Sequence, residues 1–145
     1  MNNRAYTLVE LLAIVAILGI ISLVSAPNIL VMVDNNKKDE MLQDAVYLIS
    51  KAKTKVAGDR DFRNSSETTA KYFLKDLATT DEIDKDPDGG SYDRNNSYVL
   101  YSKSTGDYCV YLKGQKRSVA RNDGALFSCA YEDQLYSRES VVKNS

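Results

Sequence analysis

The sequence predicts an α+β fold in which one long N-terminal α-helix, suited to lipid in its first half and amphipathic in its second, packs on a small antiparallel β-sheet. Three observations carry that expectation. Residues 11–33 form an almost uninterrupted apolar run. Residues 41–56 keep apolar side chains at helical spacing, and beyond Asn96 the pattern changes to short alternating strands.

After Tyr6 and up to Val33 the only charged side chain is Glu10. As a helix rising ~1.5 Å per residue, residues 11–33 span about 34 Å, enough to cross a hydrocarbon core of about 30 Å. Ahead of Glu10 the only charge is Arg4, whereas Asp34, Lys37, Lys38, Asp39 and Glu40 crowd the far end of the stretch. That places the short N-terminus on the cytoplasmic side. The helical pattern continues through the charges, because Met41, Leu42, Ala45, Val46, Leu48, Ile49, Ala52 and Val56 recur at spacings of three and four. Gly58, followed by Asp59 and Arg60, is the expected end of the helix. Pro27 is expected to bend it without ending it.

The stretch from Gly58 to Asp93 is polar and rich in turn residues, with a short helix expected over residues 67–78 whose buried side is Tyr72, Phe73, Leu74 and Leu77. Strands are expected over residues 97–101, 107–112 and 125–131, the first two joined by a turn at Ser104-Thr105-Gly106. Residues 132–145 carry many charges and few apolar side chains, which reads as wrapping loop or frayed end. Lys113, Lys116, Arg117 and Arg121 form a basic cluster that reads as a solvated hairpin rather than a phosphate or DNA site. The ten tyrosines, concentrated after Asn96, suit a half-exposed sheet and subunit contacts.

Composition removes whole classes of function. There is no histidine, so neither a His-dependent triad nor a His-containing zinc site exists in this chain. A formal net charge of -1 gives no overall support for DNA binding. The two cysteines, Cys109 and Cys129, do not form a CxxC pair, and a structural disulfide fits if that half faces an oxidising space. Closing that loop would contribute roughly 3 kcal/mol in the chain-entropy account.

Glu10 is the anomaly. A carboxylate on the first turn of a membrane helix costs about 2.5 to 3.5 kcal/mol at mid-bilayer and demands a partner. A secretory signal peptide places its small-residue cleavage site after the apolar region, whereas here the small residue, Ala5, precedes it. Gly19 lowers helix propensity and Pro27 donates no backbone hydrogen bond, so the segment between them is the weakest part of the helix; a mere kink or a close-packing site explains the pair equally well.

The run Arg4-Ala5-Tyr6-Thr7-Leu8-Val9-Glu10 and the apolar helix after it closely resemble the type IV pilin and pseudopilin family. The hallmark there is a short basic leader, a small residue, an aromatic residue, Thr-Leu-x-Glu and a long apolar helix, and the likeness covers residues 1–28. The resemblance implies a leader of residues 1–5, a helix of residues 6–57 with a transmembrane and filament-core part at 8–33, and a globular head of residues 58–145. It implies cleavage between Ala5 and Tyr6 by a prepilin peptidase, N-methylation of Tyr6, and a meeting of Glu10 with the N-terminal amine of a neighbouring subunit. Family members most often have Gly before the cut and Phe after it, and Ala5 and Tyr6 depart from that. The segment between Gly19 and Pro27 corresponds to one that loses helical hydrogen bonds in several family members. Pilin heads also carry a C-terminal disulfide, which would pair Cys109 with Cys129.

The run Asp86-Pro87-Asp88-Gly89-Gly90-Ser91-Tyr92-Asp93 resembles the calcium loop of secretion pseudopilins, which implies Asp86, Asp88 and Asp93 as oxygen ligands for calcium; a solvated Asp/Gly turn explains the same composition. The function implied is structural rather than enzymatic. The chain would be a single-pass precursor in the cytoplasmic membrane that the pilus assembly machinery polymerises with other copies or related subunits into a surface filament serving adhesion, motility, secretion or DNA uptake. A pseudopilin of a type II secretion or competence system, and a membrane-tethered binding domain that never polymerises, are the alternatives.

Overall fold

The computed structural model describes residues 7–83, 85–121 and 128–144, with the helical backbone alone for residues 24–27. Helix α1 spans Leu8–Gly58, so Gly58 ends it as its sequence context predicts. Two compact units share this chain, Met1–Asn36 and Lys37–Ser145.

In the first unit the described side chains of α1 from Leu8 to Val33 are exposed all round. This part of the helix is long and apolar enough to cross a membrane, with a mean hydropathy of 2.7 over its most apolar 18 residues. A helix that is hydrophobic on every side has no preferred face to bury against its own chain.

The second unit is a two-layer α+β head. The continuation of α1 presents Met41, Leu42, Ala45, Leu48, Ile49, Ala52 and Val56 as one buried stripe. Val46, expected on the same stripe, is instead 43% exposed. The stripe packs on an antiparallel sheet built from β1 (Thr69–Phe73), β2 (Tyr98–Ser102), β3 (Tyr108–Lys113), β4 (Arg117–Val119), β5 (Ala130–Tyr131) and β6 (Val141–Lys143). The order is β1-β2-β3-β4-β6, with β5 also paired to β3. Val99, Val110, Leu112 and Val119 join the helical stripe in one core, with Tyr72 and Tyr108 packed against its edge. Each fully buried aliphatic side chain contributes about 1.5 to 3 kcal/mol, which is why this layer pairing defines the head.

Register explains the outer face. Phe73 lies opposite Tyr98, and Tyr98 opposite Tyr111, so three strands place their aromatic rings in one row. Lys71 covers that row, its Nζ 3.8 Å from the Tyr98 ring centroid.

Three expectations need correcting. Residues 67–78 are not one helix: Thr69–Phe73 is a strand and only Leu74–Leu77 is helical (α3). All five residues of β1 find partners on β2, and Ala70 is buried between exposed neighbours, so tertiary pairing overrides the short apolar run that read as a helix. A second short helix, α2 (Arg60–Asn64), is capped by the Asp59 carboxylate, which accepts from the Phe62 amide at 3.0 Å. The C-terminal residues are ordered as two 3₁₀ turns, Glu132–Tyr136 and Arg138–Ser140, followed by β6, whose three residues pair with β4. Of the strand expected at residues 125–131, Ala130–Tyr131 is strand, and residues 125–127 lie outside the described residues.

Cys109 on β3 is bonded to Cys129, just before β5, across a Cα–Cα distance of 5.3 Å. Thiol labelling of the denatured, non-reduced protein is expected to find neither sulfur. Cys109→Ala with Cys129→Ala in the detergent-solubilised chain should lower head stability by about 3 kcal/mol, read as a lower thermal midpoint. An unchanged midpoint would mean that the strand pairing already holds this edge.

Candidate functional site

The first turn of α1 holds a reciprocal cap. The Glu10 amide donates to Thr7 Oγ1 at 3.3 Å, while Glu10 Oε2 accepts from the Thr7 amide at 2.8 Å and from its hydroxyl at 3.1 Å. Two orphan helix donors are thereby satisfied, and the carboxylate sits where the helix dipole favours negative charge. The Thr7-x-x-Glu10 spacing is a capping-box signature readable from sequence, and it gives Glu10 a role within its own chain. Ala5 and Tyr6 lie outside the described residues.

Further along α1, a Cβ added to Gly19 would meet no atom within 4 Å, so this glycine is not required by close packing within the chain. The Ser22 hydroxyl donates to the Leu18 carbonyl at 2.8 Å, a back-bond that slightly destabilises helices. The side chain of Pro27 lies outside the described residues.

The acidic loop of the head is organised around protein groups. Asp86, 2% exposed, accepts from the Asp88 amide at 2.8 Å and from the Gln115 amide, fastening the loop to the β3–β4 turn. A Cβ on Gly114 would lie 2.5 Å from Asp86 Oδ2, so that turn has no room for a larger residue. Gly89 takes φ +93, the left-handed region that glycine enters without strain. The Asp88 carboxylate is gripped by Arg117, with Nε at 2.6 Å and Nη2 at 3.1 Å, and by Lys37 Nζ at 3.2 Å. Burial pushes the Asp88 carboxyl up, but the two cations outweigh it and hold the group below the ordinary carboxylate range. Asp93 caps the following turn, accepting from the Asn96 side chain at 2.8 Å and from the Asn96 amide at 3.1 Å, and its carboxyl too is lowered.

Asp86, Asp88 and Asp93 therefore serve three different partners, and no group of three Asp, Glu or Cys able to hold a metal occurs among the described residues. The basic cluster is also not a uniformly solvated hairpin: Lys116 is exposed, whereas Arg117 is buried on its ion pair with Asp88 and Lys113 lies 3.5 Å from Asp93. One polar pair escaped sequence reasoning altogether. The Tyr92 hydroxyl donates to Asp44 Oδ2 at 2.7 Å, and burial pushes the Asp44 carboxyl up despite that bond. No spacing rule links residues 48 positions apart.

No curated protein and no solved structure matches the chain. The family model for the prokaryotic N-terminal methylation motif matches residues 1–26. That motif takes in the Ala5–Tyr6 junction, the Thr7–Glu10 cap and the first turns of the uncovered helix, and through it the chain carries the signature of type IV prepilins and pseudopilins ahead of an α+β, pilin-like head.

Proposed function

We propose that the chain is a structural subunit of a type IV pilus or a related filament. Prepilin peptidase removes residues 1–5, Tyr6 becomes the methylated N-terminus, and the assembly machinery moves the subunit from the cytoplasmic membrane into a polymer. Residues 8–33 then form the filament core, residues 34–57 continue the helix, and residues 58–145 complete a head that faces outward. The subunit's work is packing rather than catalysis, in support of adhesion, motility, secretion or DNA uptake.

The observation that carries this reading is the methylation motif joined to a helix with nothing to cover it. Sixteen large apolar side chains between Leu8 and Val33 are exposed. Left in water they would forgo roughly 25 to 50 kcal/mol of burial, at about 1.5 to 3 kcal/mol each. A small domain has only about 5 to 15 kcal/mol of net stability to set against that. The segment must lie in lipid or against other copies, and a processed precursor uses both in turn.

N-terminal mass spectrometry of mature protein is expected to show a chain beginning at methylated Tyr6; a chain still beginning at Met1, or cut beyond Ser25, refutes the reading. Glu10→Val should leave membrane insertion and leader removal intact and reduce sheared filament yield at least tenfold. The physical cause is a buried N-terminal amine without its counter-charge, at a cost of about 3 to 5 kcal/mol. Thr7→Val separates the two roles of Glu10, because it removes the two bonds made by the Thr7 hydroxyl and keeps the charge. Its filament yield should fall much less.

The head is held by its own cations, so its thermal midpoint should not move on adding a calcium chelator. Asp88→Asn leaves Arg117 and Lys37 facing no charge and should cost about 3 kcal/mol. The carboxyls of Asp88 and Asp93 are lowered, and that of Glu82, bonded by Lys51, is lowered to about 2. Their stabilisation is complete above the ordinary carboxylate pKa of about 4 and is lost as pH falls through the lowered values. Asp44 is raised and acts in the opposite sense, its contribution fading as pH climbs past the ordinary range. Acid melts from pH 5 to 2 should therefore show a steep fall that Asp88→Asn flattens.

A further inference from the structure

A cleft of about 600 Å³ opens on the head where the β2–β3 turn meets the 3₁₀ turn Glu132–Tyr136. Asp107 and Tyr108 form part of one wall, and Glu132, Asp133 and Tyr136 part of the other. Asp107 and Asp133 are exposed, Tyr108 and Glu132 are half-buried, and Tyr136 is 88% exposed, so its ring is not spent on this chain's own core.

The chain itself shows what these walls hold. Lys53, on α1, brings its ammonium 2.6 Å from Glu132 Oε1 and 5.5 Å from the centroid of the Tyr108 ring. A carboxylate for the charge and a ring beside it are what an ammonium on an aliphatic stem needs. Glu132 is thereby satisfied, whereas Asp107 and Asp133 enter no ion pair among the described residues. Three carboxylates against one ammonium leave the cleft with two uncompensated negative charges. That balance selects the ligand. An anion is repelled. A metal ion finds no group of three carboxylates able to hold it among the described residues. An uncharged apolar molecule would strip water from Asp107 and Asp133 without giving either a partner. Ammonium groups joined by methylenes meet both demands, since the charges reach the carboxylates while the carbon chain lies on the tyrosine.

We propose that this cleft binds a linear aliphatic polyamine, with Asp107 and Asp133 taking its ammonium groups and Tyr136 lying along its methylenes. Lys53 is then a resident competitor, because its own ammonium holds Glu132 and the Tyr108 ring. The inference concerns the head alone and stands whether or not the chain polymerises.

The test is calorimetric titration of the full-length chain, in non-ionic detergent and moderate salt, with spermidine as the probe. Saturable binding is expected. Asp107→Asn combined with Asp133→Asn should weaken it about tenfold, the loss of two solvent-exposed charge pairs. Tyr136→Ala should weaken it about threefold through the lost ring. Lys53→Gln, which frees Glu132, should tighten it. The ring of Tyr136 is almost wholly exposed, so Tyr136→Ala keeps the fold and decides the matter even if the paired Asn substitutions lower the thermal midpoint. Absence of saturable binding overturns the proposal, as does an affinity that neither Tyr136→Ala nor Lys53→Gln alters. Equal competition by magnesium at matched ionic strength would reduce the effect to general screening and overturn it too. Binding of trilysine without binding of spermidine would assign the cleft to a polypeptide's side chains instead. None of these outcomes touches the filament reading, which the N-terminal mass and the filament yield decide.

Discussion

Everything in this molecule answers to one constraint: a helix that is apolar on all sides cannot remain in water, yet its continuation must sit against a water-exposed sheet. Residues 34–40 mark the change of solvent, where Asp34, Lys37, Lys38, Asp39 and Glu40 interrupt the apolar run without interrupting α1. Helix propensity permits this because lysine, glutamate and the aliphatic residues differ by only a few tenths of a kcal/mol as helix formers. Lys37 pairs with Asp88 in the head, and Asp39 with Arg138. The polar interval thus ties the start of the head's helix to two separate loops.

The long connection between α3 and β2 contains no strand of its own among the described residues, so no ladder of backbone bonds runs along it. Buried polar contacts take over there. Asp86 binds the β3–β4 turn, Arg117 and Lys37 neutralise Asp88, and Tyr92 reaches Asp44 on α1. An unpaired buried charge costs far more than a satisfied one returns, so this set is held as a whole or not at all. A carboxylate-rich loop can be neutralised by a metal ion or by basic side chains, and here Arg117 and Lys37 stand against the charge. The same arrangement accounts for glycine at position 114, because the Asp86 carboxylate occupies the space a side chain would need.

How much of this was legible in the sequence depends on the range of the interaction involved. The α+β class, the extent of α1 and its buried stripe follow from local periodicity, which a single helix obeys almost without regard to context. The N-terminal methylation motif is equally local, and so is the Thr7–Glu10 cap, although its i to i+3 signature carries a second meaning beside the membrane anomaly. Strands β1, β4 and β6 were not legible. Val141–Lys143 and Arg117–Val119 are too short for alternation to register; Arg117–Val119 becomes a strand by pairing with β3 on one side and β6 on the other, and Val141–Lys143 by pairing with β4. Thr69–Phe73 reads as part of a helix until β2 lies beside it. The partners of the acidic loop were not legible for the same reason, since nothing local announces that Arg117 will arrive at Asp88 from 29 positions away.

Glu10 shows how one residue can be acceptable in two environments. Alone in hydrocarbon its charge is costly, and Thr7 eases it by donating two hydrogen bonds from the first helical turn. Both bonds go to Oε2. A carboxylate offers about four acceptor positions on two oxygens, so the cap does not exhaust it. A cation that approaches Oε1 can be accepted without first breaking the bonds to Thr7, and the helix keeps its start while the carboxylate gains a partner. A local cap and a cation at Oε1 are then additive rather than competing interactions, so the start of α1 does not depend on whether the carboxylate has a further partner.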